Sequence, residues 1–163
     1  MAPVDSKRQA APELDVAAWF NTPAPLRLAQ LRGRVVVLHA FQMLCPGCIL
    51  HGVPQAQRIH NLFAQDEVQV IGLHTVFEHH DAMREPSLKA FMHEFRVTFP
   101  VAVDRHQDGE SLPSTMARYE MQGTPTLILV DRAGHIRAHQ FGQLDDMAVG
   151  AQIARLVAEP VPA

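Results

Sequence analysis

The apolar run 35–38, with the letters VVVL, constrains the fold more than any other part of the sequence. A continuous run rich in β-branched residues is typical of a strand that is buried on both faces of a sheet. The chain has 163 residues, 47% of them hydrophobic, which is enough for one such core and too little for two ordinary domains. We therefore expect one α/β domain over residues 13–158, with flexible ends at 1–12 and 159–163.

The chain after this run alternates between helix-like and strand-like patterns. Apolar residues recur at helical spacing over 49–63, although Gly52 and Pro54 should weaken or kink the start of that helix. The further expected elements are a strand at 68–73, a helix at 87–96, a strand at 99–103, a helix at 112–119, a hairpin of strands 126–130 and 136–141, and a helix at 144–158. This order predicts a three-layer sandwich, in which a central mixed sheet has helices on both faces.

Charge and hydropathy exclude some classes of partner. The net charge of −3 comes from 14 basic and 17 acidic residues without a basic block, so we expect no nucleic-acid partner.

No apolar run has the length of a membrane span, and residues 1–12 lack the apolar stretch of a secretory signal. As written, the chain is expected to be cytoplasmic; a periplasmic or other extracytoplasmic location is the alternative if a signal or anchor was removed. The sequence predicts no oligomeric state.

Both cysteines of the chain lie in the segment 44–49, LCPGCI. Cys45 falls at the expected junction between the buried strand and the next helix, where unpaired N–H groups and the helix dipole stabilise a thiolate. Cys48 lies about one helical turn later and can attack a mixed disulfide formed on Cys45. A closed zinc site needs four ligands and no second Cys-x-x-Cys is present, so the pattern favours a redox-active dithiol without a cofactor.

Two segments in this order resemble a known family. The first is LRGRVVVLHAF at 31–41, leading into CPGC at 45–48, and the second is GTPTLILVDRAGHI at 123–136. Together they resemble the thioredoxin superfamily, in its TlpA/ResA-like branch related to the AhpC/TSA domains, over about residues 12–157. The resemblance implies a thioredoxin-like fold with an N-terminal extension and a βα insertion. It also implies a thiol-disulfide oxidoreductase that acts on protein disulfides or small thiols and has a reducing partner.

The resemblance further implies how a substrate is bound. Pro125 would follow a cis peptide bond and pack against the cysteine pair. The backbone of Gly123 and Thr124 would pair with an extended substrate segment, as in β-strand addition.

The chain departs from the family pattern at three positions near the dithiol. Leu44 stands where the family usually has Trp, His39 where it has a buried acidic or amide residue, and His51 where close relatives have Glu. Histidine titrates near neutrality, so His39 and His51 are candidate proton carriers for Cys48. The alternatives are a core histidine with one nitrogen bonded to a backbone carbonyl for His39, and a solvated helix residue for His51.

A peroxiredoxin-like peroxidase is the first alternative function, since CPGC is similar to the Thr-Pro-Gly-Cys segment of some peroxidases. Cys48 would then react with peroxide. Against this hypothesis, Cys45 occupies the position of the threonine that such enzymes keep, and Pro125 that of their arginine.

A copper-binding or metal-delivery module is the second alternative, since soft thiolates suit monovalent copper. It would use both thiolates together with His51 or a histidine of the segment 74–80. The histidines of that segment are His74, His79 and His80; with Glu78 they also suggest a metal site of their own, for which a polar surface loop is the alternative.

Overall fold

The computed structural model describes residues 8–163, which fold around one mixed sheet of six strands. The strands are β1 (Val16–Phe20), β2 (Val35–Phe41), β3 (Val68–His74), β4 (Val101–Asp104), β5 (Thr126–Val130) and β6 (Ile136–Phe141). Their order across the open sheet is β1-β4-β3-β2-β5-β6. No helix among the described residues is long and apolar enough to cross a membrane.

Strand β2 lies in the middle of the sheet and is buried along its whole length. It pairs in parallel with β3 and antiparallel with β5. The VVVL run at 35–38 therefore forms the buried central strand that its composition predicts.

Helices cover both faces of the sheet, as expected. The helices are α1 (Val53–Leu62), α2 (Glu85–Glu94), α3 (Ser114–Arg118) and α4 (Asp146–Ala158). Helices α1, α2 and α4 pack on the face that carries Val35, Val37 and Phe41. Helix α3 and a short 3-10 helix, Leu28–Leu31, pack on the other face. The three-layer arrangement is thus confirmed, with most of the helical mass on one side.

The structure differs from the expected elements mainly near their ends. Helix α2 begins at Glu85 instead of 87 and has Pro86 in its first turn, where proline removes no helical hydrogen bond. The expected early distortion of the helix at 49–63 takes the form of a π-helical turn, Cys48–Gly52, ahead of α1. Strand β1 is an addition, because the sequence pattern indicated no strand before residue 35.

The strand pairing brings three chain segments to one edge of the sheet. Phe41 and His74 are paired at the ends of the parallel strands β2 and β3. Strand β5 runs the other way, and the pairing of Ala40 with Thr126 places its start at the same edge. Phe141, at the end of β6, is paired with Thr126. Residues that follow β2 and residues that precede β5 therefore meet there.

Candidate active site

The cysteine pair lies at this edge, immediately after β2. Cys45 and Cys48 form a disulfide with their Cα atoms 5.2 Å apart. Cys48 is fully buried in the core, whereas Cys45 is partly exposed. The backbone N–H of Cys48 donates to the Sγ atom of Cys45 at 3.3 Å. A thiolate on Cys45 would keep this donor, and hydrogen bonds to the charged form stabilise it.

The segment before β5 forms the wall beside Cys45. The Thr124–Pro125 peptide bond is cis, as the family resemblance implied. The carbonyl oxygen of Thr124 lies 3.4 Å from Sγ of Cys45. Pro125 also lies against the turn between the cysteines, since a Cβ atom on Gly47 would be 3.4 Å from its Cδ atom. The structure thus brings Thr124 and Pro125 next to the dithiol, while Gly123 precedes them and lies near Phe141.

His39 lies in the middle of β2 and is only 2% exposed. Its ring is parallel to that of Phe41, on the face of the sheet where Cys48 packs. Neither ring nitrogen has a hydrogen-bond partner among the described residues, so the backbone carbonyl bond of the alternative interpretation is not formed. Burial lowers the pKa of His39 to about 4, because the charged imidazolium would lose its hydration. The ring is therefore neutral at pH 7.

A small cavity joins His39 to the surface near His51. It has a volume of about 10 Å³ and is also lined by Gly52, Gln55 and Pro125. That volume is at the lower limit for one water molecule, about 10–15 Å³. His51 is exposed, in agreement with a solvated helix residue, but it lines the same cavity. The two candidate proton carriers therefore line the same small cavity, together with Pro125.

Gln42 is a site residue that the sequence analysis missed. Its buried carboxamide accepts a hydrogen bond from the backbone N–H of Phe77 at 3.2 Å and approaches Oγ1 of Thr124 at 3.5 Å. The backbone carbonyl oxygen of Gln42 accepts a hydrogen bond from the backbone N–H of Cys45 at 3.2 Å. Gln42 thus connects the cysteine turn, the segment after β3 and the segment before β5. The sequence signal would have been a polar residue directly after a fully buried strand.

The structure separates the histidines that suggested a metal site. His74 is the last residue of β3, is buried, and its Nε2 atom accepts the N–H of Met43 at 3.3 Å. Burial lowers the pKa of His74 to about 4. His79 and His80 lie on the exposed segment that follows. Among residues 8–163 no group of three or more His, Cys, Asp or Glu side chains is arranged to hold a metal ion.

Comparisons with known proteins agree with this fold. Residues 8–139 match the sequence model of the AhpC/TSA family. A thioredoxin-like superfamily protein of known crystal structure is 55% identical, with a TM-score of 0.91 over 94% of this chain and 99% of its own. A thiol-disulfide isomerase from Corynebacterium glutamicum is 53% identical, with a TM-score of 0.87 over 92% and 98% of the two chains.

A more distant structure shares the fold alone. It is described as a thiol:disulfide interchange protein DsbE from Chlorobium tepidum and is 21% identical, with a TM-score of 0.75 over 94% and 99% of the two chains. No match was found among curated proteins. The expected thioredoxin-like fold is thereby confirmed.

Proposed function

Because the chain belongs to the AhpC/TSA family, we propose that it is a thiol-disulfide oxidoreductase in which Cys45 attacks the partner and Cys48 resolves the mixed disulfide. One observation carries this assignment of roles: Cys45 is partly exposed and receives an N–H donor at its sulfur, whereas Cys48 is fully buried. A partner can reach only the first of these sulfurs without opening the core.

The reaction follows from the two sulfurs in turn. In the reduced protein the Cys45 thiolate attacks one sulfur of a partner disulfide, forms a mixed disulfide and releases the other partner sulfur as a thiolate. The Cys48 thiolate then attacks the Cys45 sulfur, closes the disulfide and releases the remaining partner thiolate. Two electrons pass from the protein to the partner, and the same steps in reverse oxidise a partner dithiol.

The segment before β5 would orient the partner for this attack. Gly123 and Thr124 precede the strand, and the Thr124 carbonyl lies 3.4 Å from the Cys45 sulfur. An extended partner segment paired with this backbone would hold its own sulfur next to Cys45. Pro125 offers no N–H that could compete for the sulfur.

His39 would act as a proton relay for Cys48. The neutral ring can accept the proton that Cys48 must lose before it attacks, but a pKa of about 4 means that His39 cannot retain it at pH 7. The proton therefore has to pass on, and the cavity shared with exposed His51 offers an exit to solvent. His51 would complete this path at the surface.

Reduction of insulin by dithiothreitol, measured beside the consumption of hydrogen peroxide, tests the proposal. We expect the protein to accelerate insulin reduction, and either Cys45→Ser or Cys48→Ser to abolish this acceleration. Fast peroxide consumption that survives in Cys45→Ser and is lost in Cys48→Ser would instead support the peroxidase alternative.

A further inference from the structure

An apolar groove lies beside the dithiol, between helices α1 and α2. It has a volume of about 250 Å³, and its apolar walls are formed by Ile49, Val53, Phe91 and Phe95. The rings of Phe91 and Phe95 are stacked with their centroids 4.6 Å apart, and Phe95 remains 55% exposed. Ligand pockets for drug-sized molecules span about 300–1,000 Å³, so this groove suits a side chain better than a complete small molecule.

The polar residues at one end of the groove are already engaged. The Gln57 carboxamide nitrogen donates to the Thr98 hydroxyl at 2.8 Å, and its oxygen accepts the backbone N–H of Thr98 at 3.0 Å. The Arg58 guanidinium is paired with the Asp146 carboxylate at 2.8 and 3.1 Å. Both groups already have partners within the protein, so we take the apolar walls as the main binding surface of the groove.

The groove begins about one helical turn from the reactive cysteine. Ile49 follows Cys45 by four residues, and its N–H donates to the Cys45 carbonyl at 3.1 Å. Residues at this spacing lie on one side of a helical turn, so Cys45, Ile49 and Val53 form a row from the dithiol into the groove. No charged Asp, Glu, Lys or Arg side chain occurs in the segment 41–57. A polypeptide bonded to Cys45 therefore meets an uncharged helical turn that leads to the groove walls at Ile49 and Val53.

We propose that this groove receives an apolar side chain of the partner polypeptide while the partner's cysteine is bonded to Cys45. The proposal rests on the proposed disulfide exchange and defines its substrate class: protein segments that carry an aromatic or large aliphatic residue near the reactive cysteine. The bond-forming step is unchanged, since the Cys45 thiolate attacks the partner sulfur and the second sulfur leaves as a thiolate. The groove lowers the partner concentration needed for that step.

The experiment uses the reduced Cys48→Ser protein, in which exchange stops at the mixed disulfide. The probes are uncharged Gly/Ser peptides with one cysteine linked to thionitrobenzoate, a good leaving group whose release is followed by absorbance. A single Phe is placed at successive distances on either side of the cysteine, and each peptide has a counterpart with Asn. The corresponding disulfide of N-acetylcysteine, which is too short to reach the groove, is the reference.

We expect at least one Phe peptide to half-saturate the protein at about tenfold lower concentration than its Asn counterpart. Phe95→Gln should remove this preference. Leu62→Gln is the matched control, because Leu62 is 74% exposed at the end of the same helix α1 and lies outside the groove. The N-acetylcysteine disulfide should react at the same rate in all three proteins, which shows that the Cys45 thiol is equally reactive in each.

Three results would overturn the proposal. If N-acetylcysteine disulfide reacts but no Phe peptide is preferred, or if the preference survives in Phe95→Gln, the groove does not bind the partner. If N-acetylcysteine disulfide does not react with Cys45 at all, the proposed function fails and the groove proposal fails with it.

Discussion

At the scale of single residues, His39 and His74 are both buried, and burial lowers the pKa of each imidazole from 6.5 to about 4. In the unfolded chain both rings return to water and bind protons more readily. Their contribution to stability is therefore complete above about pH 6.5 and decreases as the pH falls toward about 4. Over this pH interval, the lowered pKa of each ring should reduce the free energy of unfolding by about 3 kcal/mol.

Replacing His39 should make the protein less sensitive to acid. Between about pH 6.5 and about pH 4.5, the free energy of unfolding should fall by about 2 kcal/mol more in the wild type than in His39→Leu. Urea unfolding at these two pH values measures the difference. The exposed histidine variant His93→Gln is the control for the loss of a surface histidine. An identical acid sensitivity in His39→Leu and the wild type would contradict the effect of burial on His39.

Gln42 makes a second prediction at this scale, because it joins three segments through one buried side chain. Gln42→Leu leaves the Phe77 N–H without its acceptor and should lower the free energy of unfolding by about 1–3 kcal/mol. Thr124→Val removes only the longer contact, at 3.5 Å, and should cost less than about 1 kcal/mol. Urea unfolding measures the loss of stability in both variants. Equal losses in Gln42→Leu and Thr124→Val would show that the hydrogen bond to the Phe77 N–H does not account for the effect of Gln42.

The residue types of the site were more accessible from the sequence than their contacts. Cys45, Cys48 and Pro125 could be identified because they belong to motifs with fixed spacing. Gln42 and the bond from Met43 to His74 depend on residues that are distant in sequence and meet only when the strands pair. Strand pairing is set by the whole sheet, so local patterns could not reveal these contacts.

At the scale of elements, the π-helical turn Cys48–Gly52 brings the dithiol helix against β2. Gly52 has helical dihedral angles, so at an open position alanine would stabilise the helix by about 1 kcal/mol. Here a Cβ atom would lie 2.5 Å from Cε1 and 2.6 Å from Nε2 of His39. The absence of a side chain at Gly52 thus allows the close approach between this turn and the central strand.

Gly52→Ala should therefore destabilise the protein, by about 1–3 kcal/mol. The loss should become much smaller in a His39→Ala background, where the obstructing ring is absent. Gly150→Ala is the matched control: Gly150 lies in α4, no atom lies within 4 Å of its Cβ position, and a gain of up to about 1 kcal/mol is expected. Thermal or urea unfolding of the four variants tests this. Strictly additive effects of Gly52→Ala and His39→Ala would rule out the contact as the cause.

The elements themselves were predicted best where the pattern was strongest. The VVVL run could be placed as a continuous apolar run, the hairpin by its turn residues and the last helix by its helical period. Strand β1 was missed since its sequence, VAAWF, contains two alanines and no alternation, and it is held by pairing with β4. The π-helical turn was anticipated only as a distortion, because the close approach of Gly52 to His39 and Pro125 involves residues that are distant in sequence.

At the scale of the whole molecule, the sheet order accounts for the site. The central parallel strands β2 and β3 end at one edge of the sheet, where the cysteine turn follows β2. The antiparallel strand β5 starts at the same edge, directly after Pro125. Helices α1, α2 and α4 cover the face that buries Cys48. The fold thus exposes one sulfur and encloses the other, which is the asymmetry that the proposed reaction needs.

The most direct test of this asymmetry is the trapping of mixed disulfides in two serine variants. Each reduced variant is mixed with a peptide disulfide, quenched with acid, and the bonded cysteine is identified by peptide mass. We expect Cys48→Ser to accumulate a stable mixed disulfide through Cys45, and Cys45→Ser to form one at least about tenfold more slowly, because its only thiol is buried. Faster trapping through Cys48 in Cys45→Ser would contradict the assignment of Cys45 as the attacking residue.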